Sequence, residues 1–336
     1  MRIAGAYESE DVTTTDLAHP DHSAPEPGSA SAAARPAVDR RGVAGSGLAR
    51  PGRGIAALLA GAASNQTGAA VAAHAFPALG PVGVVAVRQL VAAVVLLAVA
   101  RPPLRRLTAA QWGPSLALAA VFAVMNLALY AAIERIGLGL AVTLEFLGPL
   151  TIALLAARGR REGLLAAAAA LGVYVLVLPG PSSDLIGIGL GLVAATAWAG
   201  YILVNQVAGR RLPGLQAPAV ASLVSATAYL PVLVWLGLDG RLWGWPLLLA
   251  VVAGLLSSAV PYAADLTALR HLPAQFFGTL SSVQPVFAAG AGLLILGERL
   301  SAHEWLGIAL IVAANVVVTC RPGRAARRDR RAVGGA

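Results

Sequence analysis

Long apolar runs alternate with short polar punctuation from Gly54 to Cys320. Ten of them can be drawn, at 54–75, 82–100, 113–133, 139–157, 163–179, 185–207, 216–237, 246–269, 274–297 and 303–320. Each is roughly 17–24 residues, which at about 1.5 Å rise per residue matches the ~30 Å hydrocarbon thickness of a bilayer. One such run can be a buried helix of a soluble protein. Ten, joined by loops too short to fold alone, predict an all-α polytopic membrane protein. The joints carry turn chemistry: Pro77 and Pro81, Pro102-Pro103, Pro179-Gly180-Pro181, Pro213-Gly214, Asp239-Gly240 and Pro273. A strand barrel would instead show alternating segments of about ten residues.

Composition agrees: 57% of the 336 residues are hydrophobic and 12% charged. The net charge of +9 does not point to nucleic acid, because every basic residue is an arginine and most sit in tails or in loops beside apolar runs. Their distribution orients the chain. Arg35, Arg40, Arg41, Arg50 and Arg53, then Arg101, Arg105 and Arg106, then Arg158, Arg160 and Arg161, then Arg210 and Arg211, Arg270 and the arginines from Arg321 to Arg331 fall on alternate connections. The opposite set holds Arg135, Arg241 and Arg299. This asymmetry predicts an even number of spans in the cytoplasmic (inner) membrane, with both termini cytoplasmic. Residues 1–53 have no apolar leader segment and are expected to form a disordered cytoplasmic tail. Residues 321–336 form a basic tail suited to anionic headgroups. The single cysteine, Cys320, has no internal disulfide partner.

The halves resemble each other. A shift of 136 positions places Thr143-Leu144 on Thr279-Leu280, Pro149 on Pro285 and Glu162 on Glu298. Residues 54–180 and 185–320 are therefore expected as two five-helix repeats. Five is odd, so the second would enter the membrane in the opposite sense, the arrangement of transporters that open to either side of a central site.

Burying an ionisable side chain in hydrocarbon costs several kcal/mol unless it is paired or hydrated, so the few that occur are candidates for function. Arg88 and Glu145 each lie about six residues from the outer end of their spans, roughly 9 Å deep, and Asn126 lies about seven from its own. Equal depth permits an Arg88–Glu145 pair beside Asn126. One reading is an ion pair that fixes helix packing. The other is a hydrated cavity in which the guanidinium takes a carboxylate and Glu145 takes an ammonium or a proton. Asp265, after Pro261-Tyr262 near a cytoplasmic helix end, suits either interfacial snorkelling or coupling. Trp198, Tyr201, Asn205 and Gln206, and separately Asn65 and Gln66, are polar patches within spans that suit interhelical hydrogen bonding first and substrate contact second, with Trp198 and Gln284 kept as candidates for substrate binding or coupling. Gly148-Pro149 and Gln284-Pro285 put helix breakers mid-span, freeing carbonyls for a ligand or simply kinking the helix.

A chain without lysine has no Gly-rich phosphate loop of the Walker type. No metal-ligand spacing and no Gly-x-Ser-x-Gly elbow is visible, so no cofactor, metal or catalytic residue is expected and energy must come from a gradient.

The run Met125-Asn126-Leu127-Ala128-Leu129-Tyr130, followed by Gly139-Leu140-Ala141-Val142-Thr143-Leu144-Glu145-Phe146-Leu147-Gly148-Pro149-Leu150, resembles spans three and four of the bacterial threonine/homoserine exporters, in the EamA branch of the drug/metabolite transporter superfamily. Pro261-Tyr262 with Asp265, Leu272-Pro273, Phe277-Gly278-Thr279-Leu280, Pro285 and Leu296-Gly297-Glu298 extend the resemblance over about residues 55–320. It implies ten helices in two repeats and inner-membrane efflux of small metabolites, amino acids favoured. Two features depart from that pattern: Asp265 stands where the family has Glu, and the N-terminal tail is long. The expected function is export of a small amino acid by proton antiport. Its partners would be that substrate, protons, membrane lipid and a second copy of the chain as a homodimer. The rival readings are a drug or other metabolite permease and, more remotely, a lipid-modifying enzyme.

Overall fold

Helices carry all the regular structure in residues 51–156, 160–178, 184–261, 264 and 281–319, the residues that the computed structural model describes. Asp265 and Tyr262, the arginine at 270, residues 274–280 of the ninth expected span and both expected tails, apart from residues 51–53, lie outside them. In chain order the helices are α1 (Pro51–Ala73), α2 (Phe76–Ala100), α3 (Ala109–Ile136), α4 (Leu138–Glu145), α5 (Leu147–Ala156) and α6 (Arg160–Val177). Then follow α7 (Leu185–Gly209), α8 (Gln216–Ala228), α9 (Leu230–Leu238), α10 (Gly244–Gly254), α11 (Gln284–Ala291) and α12 (Ala302–Thr319). Wider π-helical turns, Leu255–Ala259 and Gly292–Leu296, extend α10 and α11.

Prolines set the breaks. Pro77, Pro231 and Pro285 open α2, α9 and α11, where the missing N–H is not needed and the fixed φ suits a first turn. The sequence places breakers at Gly148-Pro149 and Gln284-Pro285, but the chain leaves the helix just ahead of them, at Phe146 and at Ser282-Val283. The fourth expected span is thus two helices, and the seventh bends by 44° between α8 and α9. The second begins earlier than its apolar run predicts, because α2 continues through a kink at Gly80 (φ 66°, ψ 165°), which glycine tolerates, next to Pro81.

Among the described residues, α2, α3 and α7 are each long and apolar enough to cross a membrane, and the bent pair α8–α9 makes a fourth candidate. Large apolar side chains face outward, with Leu238 86%, Leu294 84% and Trp243 83% exposed. Such a surface suits lipid rather than water. Small residues fill the crossings instead. α3 packs on α7, α2 on α8, and α6 on α12. A Cβ at Gly307 of α12 would come within 2.6 Å of Leu176 of α6, and one at Gly172 within 2.9 Å of Ile311.

Polar caps close the helix ends. Asp184 accepts from the Gly187 amide at 2.8 Å at the start of α7, and its carboxylate pairs with Arg135 Nε at 3.0 Å. The Gly187 N–H, and after it Arg135, hold the Asp184 carboxyl below its ordinary value of 3.8. Arg241, on the same sparse set of connections, pairs with Asp239 at 2.6 Å and lies 5.3 Å from the Trp235 ring centroid. The start of α4 is capped from far along the chain: Glu298 Oε1 accepts from Leu138 N at 2.7 Å and Oε2 from Gly139 N at 3.4 Å. Gly137 (φ 81°) makes room, since a Cβ there would stand 3.0 Å from the same carboxylate.

Candidate functional site

α2 and α3 bring Arg88 and Asn126 together. Arg88 Nη1 donates to Asn126 Oδ1 at 2.6 Å, and the Asn126 amide in turn donates to the Phe122 carbonyl at 2.8 Å, one turn back. Tyr130, one turn on from Asn126, sets its ring 5.1 Å from the guanidinium carbon. Phe76 braces that ring edge-on at 6.0 Å. The remaining terminal nitrogen, Nη2, reaches the Ser257 carbonyl at 3.5 Å, in the π-helical turn after α10. The Nε of Arg88 and the hydroxyl of Tyr130 are both buried and have no hydrogen-bond partner among the described residues. Three contacts therefore fix the guanidinium's place while leaving its Nε unspent among the described residues.

Glu145 ends α4 at the helix break and is 6% exposed. Arg88 lies within electrostatic reach of it, but none of the guanidinium nitrogens comes within 4.0 Å of a carboxylate oxygen. The direct ion pair that equal depth permits does not form. Phe146, the next residue, stacks edge-on with Trp198 of α7 at 4.7 Å, so Trp198 joins the site through an aromatic contact.

A second polar group adjoins the first. Gln284, opening α11, accepts through Oε1 from Gln66 Nε2 at 3.1 Å and from Asn65 Nδ2 at 3.5 Å. Asn65, Gln284, Ser257, Gly61 and Pro261 are among the residues lining a cavity of about 160 Å³. Ser257 belongs to both groups, because its carbonyl holds Arg88 and its hydroxyl donates to the Asn65 carbonyl at 3.2 Å. Larger hollows of about 390 Å³ between α3 and α7, and 360 Å³ between α5 and α6, are lined almost wholly by Ala, Val, Leu and Gly, and suit acyl chains.

Of the seven residues singled out from sequence, Arg88, Asn126, Glu145, Trp198 and Gln284 thus fall around this centre, while Asp265 and Tyr262 lie outside the described residues. Sequence reasoning did not single out Tyr130 or Ser257. Tyr130 has a signal, its four-residue spacing from Asn126, which puts both on one helix face. Ser257 has one in Pro261, four residues on, which has no N–H to give the Ser257 carbonyl in an α-helix. Among the described residues no group of three His, Cys, Asp or Glu side chains has the geometry of a metal site.

The chain is similar to known proteins. The EamA-like transporter family model matches residues 185–320. The threonine/homoserine exporter RhtA of Salmonella typhimurium (strain SL1344) is 36% identical over 266 residues, 78% of this chain and 90% of the relative, and RhtA of Escherichia coli (strain K12) gives the same values. A transporter of Bacillus subtilis (strain 168), YwfM, is 30% identical over 178 residues, 52% of this chain and 60% of the relative. A solved crystal structure superposes with a TM-score of 0.52 at 20% identity, covering 79% of this chain and 97% of its own, a likeness of fold.

Proposed function

The chain belongs to the EamA-like transporter family, a membrane transporter of small metabolites and not an enzyme, and on that premise we propose that it exports a short zwitterionic amino acid by proton antiport. The observation that carries the reading is the separation of Arg88 from Glu145. Two opposite charges, one partly buried and one buried, lie in the same region without direct contact, the arrangement a ligand bearing both charges would bridge. The unspent Nε edge of Arg88 takes the carboxylate, and Glu145 takes the ammonium. When the substrate leaves, Glu145 takes a proton instead, so the carboxylate is never left both charged and alone. The two relatives named threonine/homoserine exporters indicate the substrates to try first.

Alternating access is proposed to come from two inverted repeats, 54–180 and 185–320, in a ten-span inner-membrane protein with both termini cytoplasmic. The 136-residue offset supports this. Moving the bounds of α1 along by 136 gives 187–209, against 185–209 for α7, and α3 would begin again at 245, against 244 for α10. The breaks at Phe146 and Ser282-Val283 keep the same offset, and α2 packs on α8 and α6 on α12, each on its counterpart. Arg135 and Arg241, on the side read as external, are tied to carboxylates, whereas the cytoplasmic arginines follow the positive-inside bias.

The test is transport by purified protein in proteoliposomes with an imposed pH gradient and labelled threonine, homoserine and a panel of other amino acids. Gradient-driven movement that Glu145→Gln abolishes, with the protein still inserted, is the expected result. Movement of cationic drugs but of no amino acid would replace this reading with the drug-permease one.

A further inference from the structure

The cavity between α1, the π turn after α10 and the start of α11 is chemically unlike the charged centre beside it. Among the described residues, its polar lining groups are amides and hydroxyls and none is charged. At about 160 Å³ it is roughly tenfold larger than the ~10–15 Å³ that one water needs, and well below the ~300 Å³ where drug-sized pockets begin. It suits a few heavy atoms.

The hydrogen bonds already made define what it lacks. Gln284 spends its amide oxygen on two donors, the buried Gln66 and Asn65. The Gln284 amide nitrogen has no partner among the described residues, and the residue lines the cavity. Asn65 spends its amide nitrogen on Gln284, and its side-chain oxygen likewise has no partner among the described residues. Among the described residues, the wall thus presents the spare N–H groups of the Gln284 amide and the spare side-chain oxygen of Asn65. A hydroxyl group both donates and accepts, so it matches that pair; a methyl group matches neither and would leave both amide groups unsatisfied.

Resting on the export reading above, we propose that the Asn65–Gln284 cavity is a side-chain pocket that selects hydroxylated short amino acids over their apolar isosteres. Ser257 joins the pocket to the head-group site, since it lines the cavity and its carbonyl holds Arg88. A zwitterion gripped between Arg88 and Glu145 would extend its hydroxyl-bearing side chain towards Gln284. Asn65 and Gln284 are specificity-determining here, and Gln66 is a positioning residue that holds Gln284's amide in the orientation that turns its N–H to the cavity.

Counterflow in proteoliposomes decides it, comparing threonine with valine and homoserine with norvaline, pairs alike in size and differing in the hydroxyl. Wild-type protein is expected to prefer the hydroxylated member, and Gln284→Leu to reduce that preference about tenfold, the scale of one lost hydrogen bond with its desolvation. Asn65→Leu provides a second reading should Gln284→Leu fail to fold, and Gln284→Asn, which keeps an amide, should retain part of the preference. Wild-type protein that carries threonine and homoserine while all three variants keep the wild-type ratio would overturn the pocket and leave the export reading standing. Wild-type protein that moves no amino acid would sink both.

Discussion

The Gln89 amide donates to the Ser225 hydroxyl at 2.7 Å, and the two residues stand 136 positions apart, the offset that carries Pro149 onto Pro285. Both are buried, at 4% and 1% exposure, where α2 and α8 cross. If residues 54–180 and 185–320 are inverted repeats, as proposed, this contact would lie on the two-fold axis between them, because only there do equivalent positions meet.

Gln89→Leu and Ser225→Ala should each destabilise the protein by about 1 kcal/mol, since each strands a buried polar partner. The double variant should cost less than the sum. A double-mutant cycle on denaturant unfolding in detergent checks this; strict additivity would mean that the bond contributes nothing.

Arg88→Lys should reduce amino acid export at least tenfold with membrane insertion intact. The ammonium keeps the charge, but it lacks the planar fork that reaches Asn126 and Ser257 at once and stacks beside Tyr130. Initial rates of export from loaded vesicles provide the measurement, and an unchanged rate would reduce Arg88 to a structural charge.

Gly307→Ala should lower stability by roughly 1–3 kcal/mol through overpacking, because the new Cβ would meet the N, Cα and Cβ of Leu176, which no rotamer change moves aside. Gly189→Ala in α7, where a Cβ meets nothing within 4 Å, is the matched control. Thermal unfolding of the pair in detergent should separate them.

Asp184 predicts a pH effect of definite sign. Its folded-state carboxyl is held below the ordinary 3.8 by the Gly187 amide and Arg135, so ionised Asp184 contributes stability above that value. The contribution disappears as acid protonates the group, from about pH 4 downwards. Asp184→Asn should unfold more easily than wild type at neutral pH, and the two curves should converge at low pH; curves that stay parallel would remove Asp184 from the acid response.

What sequence makes visible here follows from what is local. Span lengths are set by apolar runs, and the helix restarts at Pro231 and Pro285 by a ring that lacks an N–H, so both are legible along one chain. The meeting of Arg88 with Asn126 follows from shared depth, a one-dimensional quantity. Lateral neighbours are not one-dimensional. Nothing local says that Gln284 would turn to Gln66, 218 residues away, or that Arg88 would spend its terminal nitrogens on Asn126 and a freed carbonyl and stay clear of Glu145. The kink at Gly80 and the early breaks before Pro149 and Pro285 show the same limit on a smaller scale, since a proline announces that a helix must restart and not where the preceding one stops.

Glu298 reaches across 160 residues of chain to grip the first turn of α4, and Glu145 terminates that same helix. Eight residues make a strut only about 12 Å long, too short to bend appreciably. A displacement of the turn after the second π-helical segment would on this geometry be carried to the buried carboxylate at the strut's far end. On the proposed export reading, such a pushrod would link opening at one face to the grip on the cargo, with no signal passing through the lipid.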